Sequence, residues 1–146
     1  MGTSFIGSLL LTSGYFLYGT VFLAFRQMKR KNTAKAKILI RKTKFPKWLK
    51  QSQRGYYHFV SGFIALHENR LDVGYQHLTS ALLIGLRTQN DLSIASYNVA
   101  AVELKRGNIG ESTKWIEATR KYHCSDTILK ELKKLEDQIE QFDANL

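Results

Sequence analysis

Gly62-Phe63-Ile64-Ala65-Leu66-His67-Glu68-Asn69-Arg70-Leu71-Asp72-Val73-Gly74 and Ala100-Ala101-Val102-Glu103-Leu104-Lys105-Arg106-Gly107-Asn108-Ile109-Gly110-Glu111-Ser112 are one pattern written twice at a constant offset. Small Gly62 falls on Ala100, and the turn residue Asn69 falls on Gly107. Leu71 falls on Ile109, Gly74 on Ser112, Leu78 on Ile116 and Ala81 on Thr119. Small residues on both arms of a helical hairpin let the helices approach closely, and the larger apolar residues fill the space beside them. Hairpins of this kind bury a full core only by stacking.

The spacing predicts helices over 53–68, 72–86, 91–106, 109–122 and 125–142. Asn69 and Asp72 punctuate the first break, Asn90-Asp91 the second and Gly107-Asn108 the third. Asn108 is placed to cap the helix that follows, with Glu111 in its first turn, and Ser125 to cap the last. The last segment sets Leu129, Leu132, Leu135, Ile139 and Phe142 on one stripe among Lys and Glu. That is the pattern of a capping helix with a polar outer face, and it is short for a coiled coil. No strand-like alternation competes.

These two units resemble the tetratricopeptide repeat. That family has a small residue at its eighth position, a turn residue near its fifteenth and small residues at its twentieth and twenty-seventh. Gly62, Asn69, Gly74 and Ala81 stand there in one unit, and Ala100, Gly107, Ser112 and Thr119 in the other. The resemblance covers about Gly55 to Cys124. The chain departs from the family in its period, which is longer than the usual one, and it lacks the early tryptophan and the closing proline. The resemblance implies an all-α solenoid in which the first helices of successive units line a concave groove. Tyr56, Phe59, Phe63 and His67 would face that groove from one unit, and Ile94, Tyr97, Ala101 and Lys105 from the next. The implied partner is a protein, bound as a peptide or a helix.

Upstream, the run from Phe5 to Phe25 carries no charge. It is long enough to cross a bilayer as a helix. No base precedes Arg26, and no small-residue cleavage site follows, which argues against a signal peptide. Residues 1–25 are therefore expected to be a transmembrane anchor, with Ser4, Ser8 and Thr12 on a face suited to another membrane helix. Residues 26–52 then form a basic juxtamembrane linker, and 53–146 the helical domain. Arg26, Lys29, Arg30, Lys31, Lys35, Lys37 and Trp48 are expected at anionic lipid headgroups. The positive-inside rule would put the N-terminus outside and the domain in the cytoplasm, most simply at a bacterial cytoplasmic membrane. Pro46 marks the joint.

Charge is unevenly placed within a formal net +10. Residues 26–54 hold 12 of the 22 Lys and Arg and no acid, whereas 55–146 hold 10 bases and all 12 acids, a net −2. A slightly acidic domain argues against nucleic acid. The single cysteine, Cys124, excludes an intrachain disulfide. His58, His67, His77 and His123 show no metal-ligand spacing, and no phosphate loop, nucleophile elbow or paired-carboxylate motif is present. The expectation is a protein that is not an enzyme and takes no cofactor or metal: a membrane-anchored adaptor recruiting a protein through its helical groove. Nucleic-acid binding through the basic residues 26–50 is the runner-up for that segment, and two further alternatives stay open. One is an accessory subunit assembled through the membrane helix. The other follows from Gln76-His77-Leu78-Thr79-Ser80-Ala81, which is similar to a repeat of the mitochondrial outer-membrane presequence receptors.

Overall fold

The structure, a computed structural model, describes residues 19–146. Regular structure among the described residues is helical throughout: α1 (Thr20–Lys29), α2 (Thr33–Arg41), a 3-10 turn (Pro46–Trp48), α3 (Gln51–His67), α4 (Leu71–Ile84), α5 (Gln89–Lys105), α6 (Ile109–Arg120) and α7 (Asp126–Ala144). From α3 onward every helix end lies within two residues of the expected one.

Among the described residues the repeat has three copies. Lys31, Asn69 and Gly107 are equally spaced along the chain, and all adopt positive φ, at 60°, 61° and 80°. Each closes its helix in the same way. The N–H groups of Lys31, Asn69 and Gly107 donate to Met28, Leu66 and Leu104 carbonyls at 2.9, 3.0 and 3.0 Å. The next N–H groups, of Asn32, Arg70 and Asn108, reach back to Gln27, Ala65 and Glu103 at 2.9, 2.8 and 2.9 Å. This is the paired-bond C-terminal cap that a left-handed residue permits. The small positions follow in register. Ala24, Gly62 and Ala100 are buried on the first helices, and Ala36, Gly74 and Ser112 on the second. Ile40, Leu78 and Ile116 pack beside them, all buried. A Cβ on Gly62 would lie 2.7 Å from Leu78 Cγ, so this crossing requires glycine.

Hydroxyls tie the first and third hairpins at the same register. Thr20 and Thr43 Oγ1 lie 3.0 Å apart, and Thr119 Oγ1 donates to Ser96 Oγ at 2.7 Å. The middle hairpin has His58 and Ala81 at those positions. There His58 Nδ1 instead meets His77 Nδ1 at 2.9 Å.

The expected membrane anchor is overturned, and with it the single-pass topology. Residues 1–18, which include Ser4, Ser8 and Thr12, lie outside the described residues. The remainder of the apolar run belongs to α1, a ten-residue helix. Among the described residues no helix is long and apolar enough to cross a membrane. The apolar side chains of α1 have a protein partner instead. Val21 is 2% exposed and Ala24 fully buried, and the Phe25 ring meets Tyr56 edge-on at 4.9 Å. The basic segment 26–52 is likewise structured, running from the end of α1 through α2 and the 3-10 turn to the start of α3, with Ala36, Ile40 and Leu49 in the core. Its charge is partly neutralised from within. Lys29 pairs with Asp91, and Lys37 with Glu68.

Two apolar clusters result. One runs through the first two hairpins into α5 and centres on Phe59, with Val60, Leu78 and Val99. Full burial of Phe59 is worth about 1.5–3 kcal/mol. The other joins Ala100 and Ile116 to Ile128, Leu132 and Leu135 of α7. Leu129 and Phe142, expected on the buried stripe, are instead 41% and 58% exposed. Ile128 takes the inner position, one helical turn before Leu132.

Candidate functional site: the inner face of the first helices

α1, α3 and α5 are the first arms of the three hairpins, and their inner faces carry two open grooves. The first, about 490 Å³, lies between Met28, Lys29 and Lys31 at the end of α1, Phe63 and His67 on α3, and Ile94 on α5. The second, about 750 Å³, lies between Tyr97, Ala101, Leu104 and Lys105 on α5 and Leu135 and Phe142 on α7. Ile94 and Tyr97 are one helical turn apart, so one helix serves both. The lining bases are Lys29, Lys31, His67 and Lys105, and among the described residues no Asp or Glu lines either groove.

The residues expected at the groove divide. Phe63 and His67 line the first hollow, and Tyr97, Ala101 and Lys105 the second. Tyr56 and Phe59 do not open onto either. Tyr56 is 9% exposed and Phe59 is fully buried, because α1 packs on the side of α3 that two hairpins alone would leave bare. Phe25 lies 6.0 Å from the Phe59 ring, and Phe63 lies 5.1 Å from it on the other side.

A buried polar network holds α1, α3 and α5 together. Asp91, 4% exposed, accepts from Lys29 Nζ at 2.9 Å and from the Tyr56 hydroxyl at 2.7 Å. The Arg87 backbone N–H donates to that same hydroxyl at 3.0 Å. Burial would push the Asp91 carboxyl up, but the hydrogen bonds from Tyr56 and Lys29 overcome it and hold the group below the ordinary aspartate range. Burial, with the bond to Asp91, pushes the Tyr56 phenol up to about 12. Position makes the network possible. Thr88 caps α5 by accepting the Asp91 N–H at 3.0 Å, which fixes Asp91 in the first turn. On the other groove, Tyr97 donates to Glu131 of α7 at 3.2 Å, and its phenol is also pushed up to about 12 by burial and by the Glu131 charge.

The residues expected at lipid headgroups are distributed over α1, α2 and the turn that follows. Lys29 and Lys37 are ion-paired as described. Arg26, Arg30, Lys31 and Lys35 are exposed. Trp48 is 69% exposed and stacks on Phe45 at 4.6 Å. Among the described residues no three His, Cys, Asp or Glu side chains come together as a metal site would require.

Asp91, Arg87 and Gln53 lie outside the positions that the repeat pattern singles out. The signal that could have found Asp91 is an acid placed in the first turn after a capping Thr, in a chain whose long basic segment contains no acid of its own.

No family model matches the chain, and neither does any curated protein or solved structure.

Proposed function

We propose that the chain is a protein-interaction module: a tetratricopeptide-like array of three hairpins that captures an acidic amphipathic peptide along the inner face of its first helices. The observation that carries this reading is the α5–α7 groove, where Ala101, Leu104, Leu135 and Phe142 supply an apolar floor and Lys105 a positive rim. Tyr97, already oriented by Glu131, stands at one end as a rigid aromatic anchor. Apolar side chains spaced at i, i+3 and i+4 suit such a floor, as in other helix-in-groove complexes. Lys105 is the one charged side chain lining this groove, and it favours Asp or Glu on the flank of the peptide.

A random peptide library selected on the immobilised chain at physiological salt tests the reading. Enriched peptides should carry apolar residues at helical spacing with Asp or Glu beside them. They should lose binding to Ala101→Arg, which fills the groove, and keep it for Leu83→Asp, on a side chain 90% exposed elsewhere. Failure to enrich peptides, or equal binding to Ala101→Arg with its helical circular dichroism intact, would overturn the proposal.

A further inference from the structure

The turn that joins the first hairpin to the second holds two aromatic rings outside the core. Leu49 is buried, and its N–H donates to the Pro46 carbonyl at 3.2 Å, which closes the 3-10 turn and fixes it to the domain. Phe45 and Trp48 stay outside, 49% and 69% exposed. Their rings stack at 4.6 Å with 16° between the planes. Single exposed apolar side chains are ordinary on a surface, whereas large ones gathered into one patch mark a contact.

Bases surround the pair and are free. Arg41, Lys42, Lys44, Lys47 and Lys50 are exposed, and none of them is in an ion pair among the described residues. The neighbouring elements bring no acid to this end. The start of α1 lies against it through the Thr20–Thr43 hydroxyl contact. The end of α4 does so through Gln51 Nε2, which donates to the Ile84 carbonyl at 3.1 Å. Residues 82–90, which follow from that helix end, contain Arg87 and no Asp or Glu. Between residues 19 and 91 the acids are Glu68, Asp72 and Asp91, and each is already paired, with Lys37, Arg106 and Lys29. The positive charge around Phe45 and Trp48 is therefore uncompensated from within the first two hairpins.

We propose that this end of the first hairpin docks on an anionic lipid surface. The Phe45–Trp48 pair enters the interfacial layer, where amphipathic rings settle. The lysines meet the headgroups, with their methylene stems along the apolar layer. The contact is peripheral and calls for no membrane-crossing helix. Two features favour lipid over nucleic acid. Rings stacked on each other each have one face covered, whereas a single strand needs open faces for its bases. The nearest bases in sequence, Lys44, Lys47 and Lys50, are point charges that suit a headgroup layer, not the planar forks that grip one phosphate bidentately. The surface is separate from the peptide groove between α5 and α7.

The test is flotation of the full chain with vesicles of equal parts phosphatidylcholine and phosphatidylserine, against vesicles of phosphatidylcholine alone. The chain should float with the first and far less with the second, and added salt should release it. Tryptophan emission should move to the blue on binding. That shift should vanish in Trp48→Ala, which leaves Trp115 as the reporter. Lys44→Glu, Lys47→Glu and Lys50→Glu combined should weaken binding about a hundredfold or more, at about fivefold for each base near a charged surface. The same charge change by Lys121→Glu, Lys130→Glu and Lys133→Glu should cost far less. All six lysines are exposed and unpaired among the described residues, so helical circular dichroism should be unchanged in both triple variants. The proposal is overturned if neutral vesicles bind equally well, if the two triple variants bind alike, if the blue shift survives Trp48→Ala, or if an unstructured RNA oligonucleotide binds the chain more tightly than the anionic vesicles and displaces them.

Discussion

The Tyr56 hydroxyl donates to Asp91 Oδ2 at 2.7 Å, and so ties the first helix of the middle hairpin to the first helix of the third. Lys29 reaches the other oxygen of the same carboxylate from α1, at 2.9 Å. One buried aspartate thus spans all three repeats.

Tyr56→Phe removes the hydroxyl and leaves both Asp91 Oδ2 and the Arg87 N–H without this partner. The expected loss is about 1–2 kcal/mol in urea unfolding. The pH dependence has two limbs. Asp91 is held below its ordinary value, so its contribution is complete above that value and is lost as pH falls through the lower folded-state one. Tyr56 is raised to about 12, so its contribution is complete below the ordinary tyrosine value and is lost as pH rises through about 12. In Tyr56→Phe the alkaline limb should shrink.

Gly62→Ala drives a methyl group to 2.7 Å from Leu78 Cγ. Leu78 is fully buried and has nowhere to move. The expected cost is about 1–3 kcal/mol. Gly107→Ala meets no neighbour but must hold φ at 80°, so about 1–2 kcal/mol is expected. A Gly62→Ala protein as stable as wild type would contradict the close crossing.

The His58–His77 pair makes the middle hairpin the acid-sensitive one. Burial first, then the neighbouring positive charges, hold both imidazoles below the ordinary histidine range: His77 and Arg54 act on His58, and Arg70 on His77. The Tyr57 ring packs against both imidazoles. Depressed histidines contribute stability above their ordinary value near 6.5, and that contribution is lost as pH falls. Melting temperature should therefore drop between neutral pH and pH 5, and less steeply in His58→Ser, which restores the residue type that the third hairpin uses at Ser96. Equal slopes for the two proteins would remove the pair as the cause.

How far the fold was legible turns on α1. The frame that pairs Gly62 with Ala100 continues backward through Ala24, Lys31, Ala36, Ile40 and Thr43. Every one of these except Lys31 is buried, and Lys31 makes the turn. The continuation is hidden because residues 5–25 lack charge, which is the pattern of a lipid-facing helix. A helix shielded by protein on one side and short of charge looks the same in sequence, and only its neighbours separate the two. Turn residues are legible because Asn and Gly fill the left-handed cap at two of its three occurrences. The groove is half legible for the same reason as the fold. Tyr97, Ala101 and Lys105 keep their open position at the third hairpin, whereas Tyr56 and Phe59 are closed over by a hairpin whose sequence reads as an anchor. The Gln53 acceptor carries no pattern at all, since a missing partner is visible only in three dimensions.

If α1 is a repeat helix, its inner and outer faces must respond differently to charge. Ala24→Asp places a carboxylate where nothing is exposed, and about 3 kcal/mol or more should be lost. Phe22→Asp, on a side chain 61% exposed, should cost far less. Urea midpoints for the two proteins that moved equally would return α1 to the status of a tether.

The central claim is that the inner face, between α5 and α7, takes an acidic amphipathic peptide. The direct measurement is an amide NMR titration of the full chain with two helix-forming peptides of identical apolar spacing, one flanked by Glu and one by Lys. Saturable shifts from the Glu peptide are expected at Tyr97, Ala101, Leu104, Leu135 and Phe142, with weaker binding of the Lys peptide and loss of both in Ala101→Arg. Tighter binding of the Lys peptide, or shifts confined to the outer helices α2, α4 and α6, would contradict it.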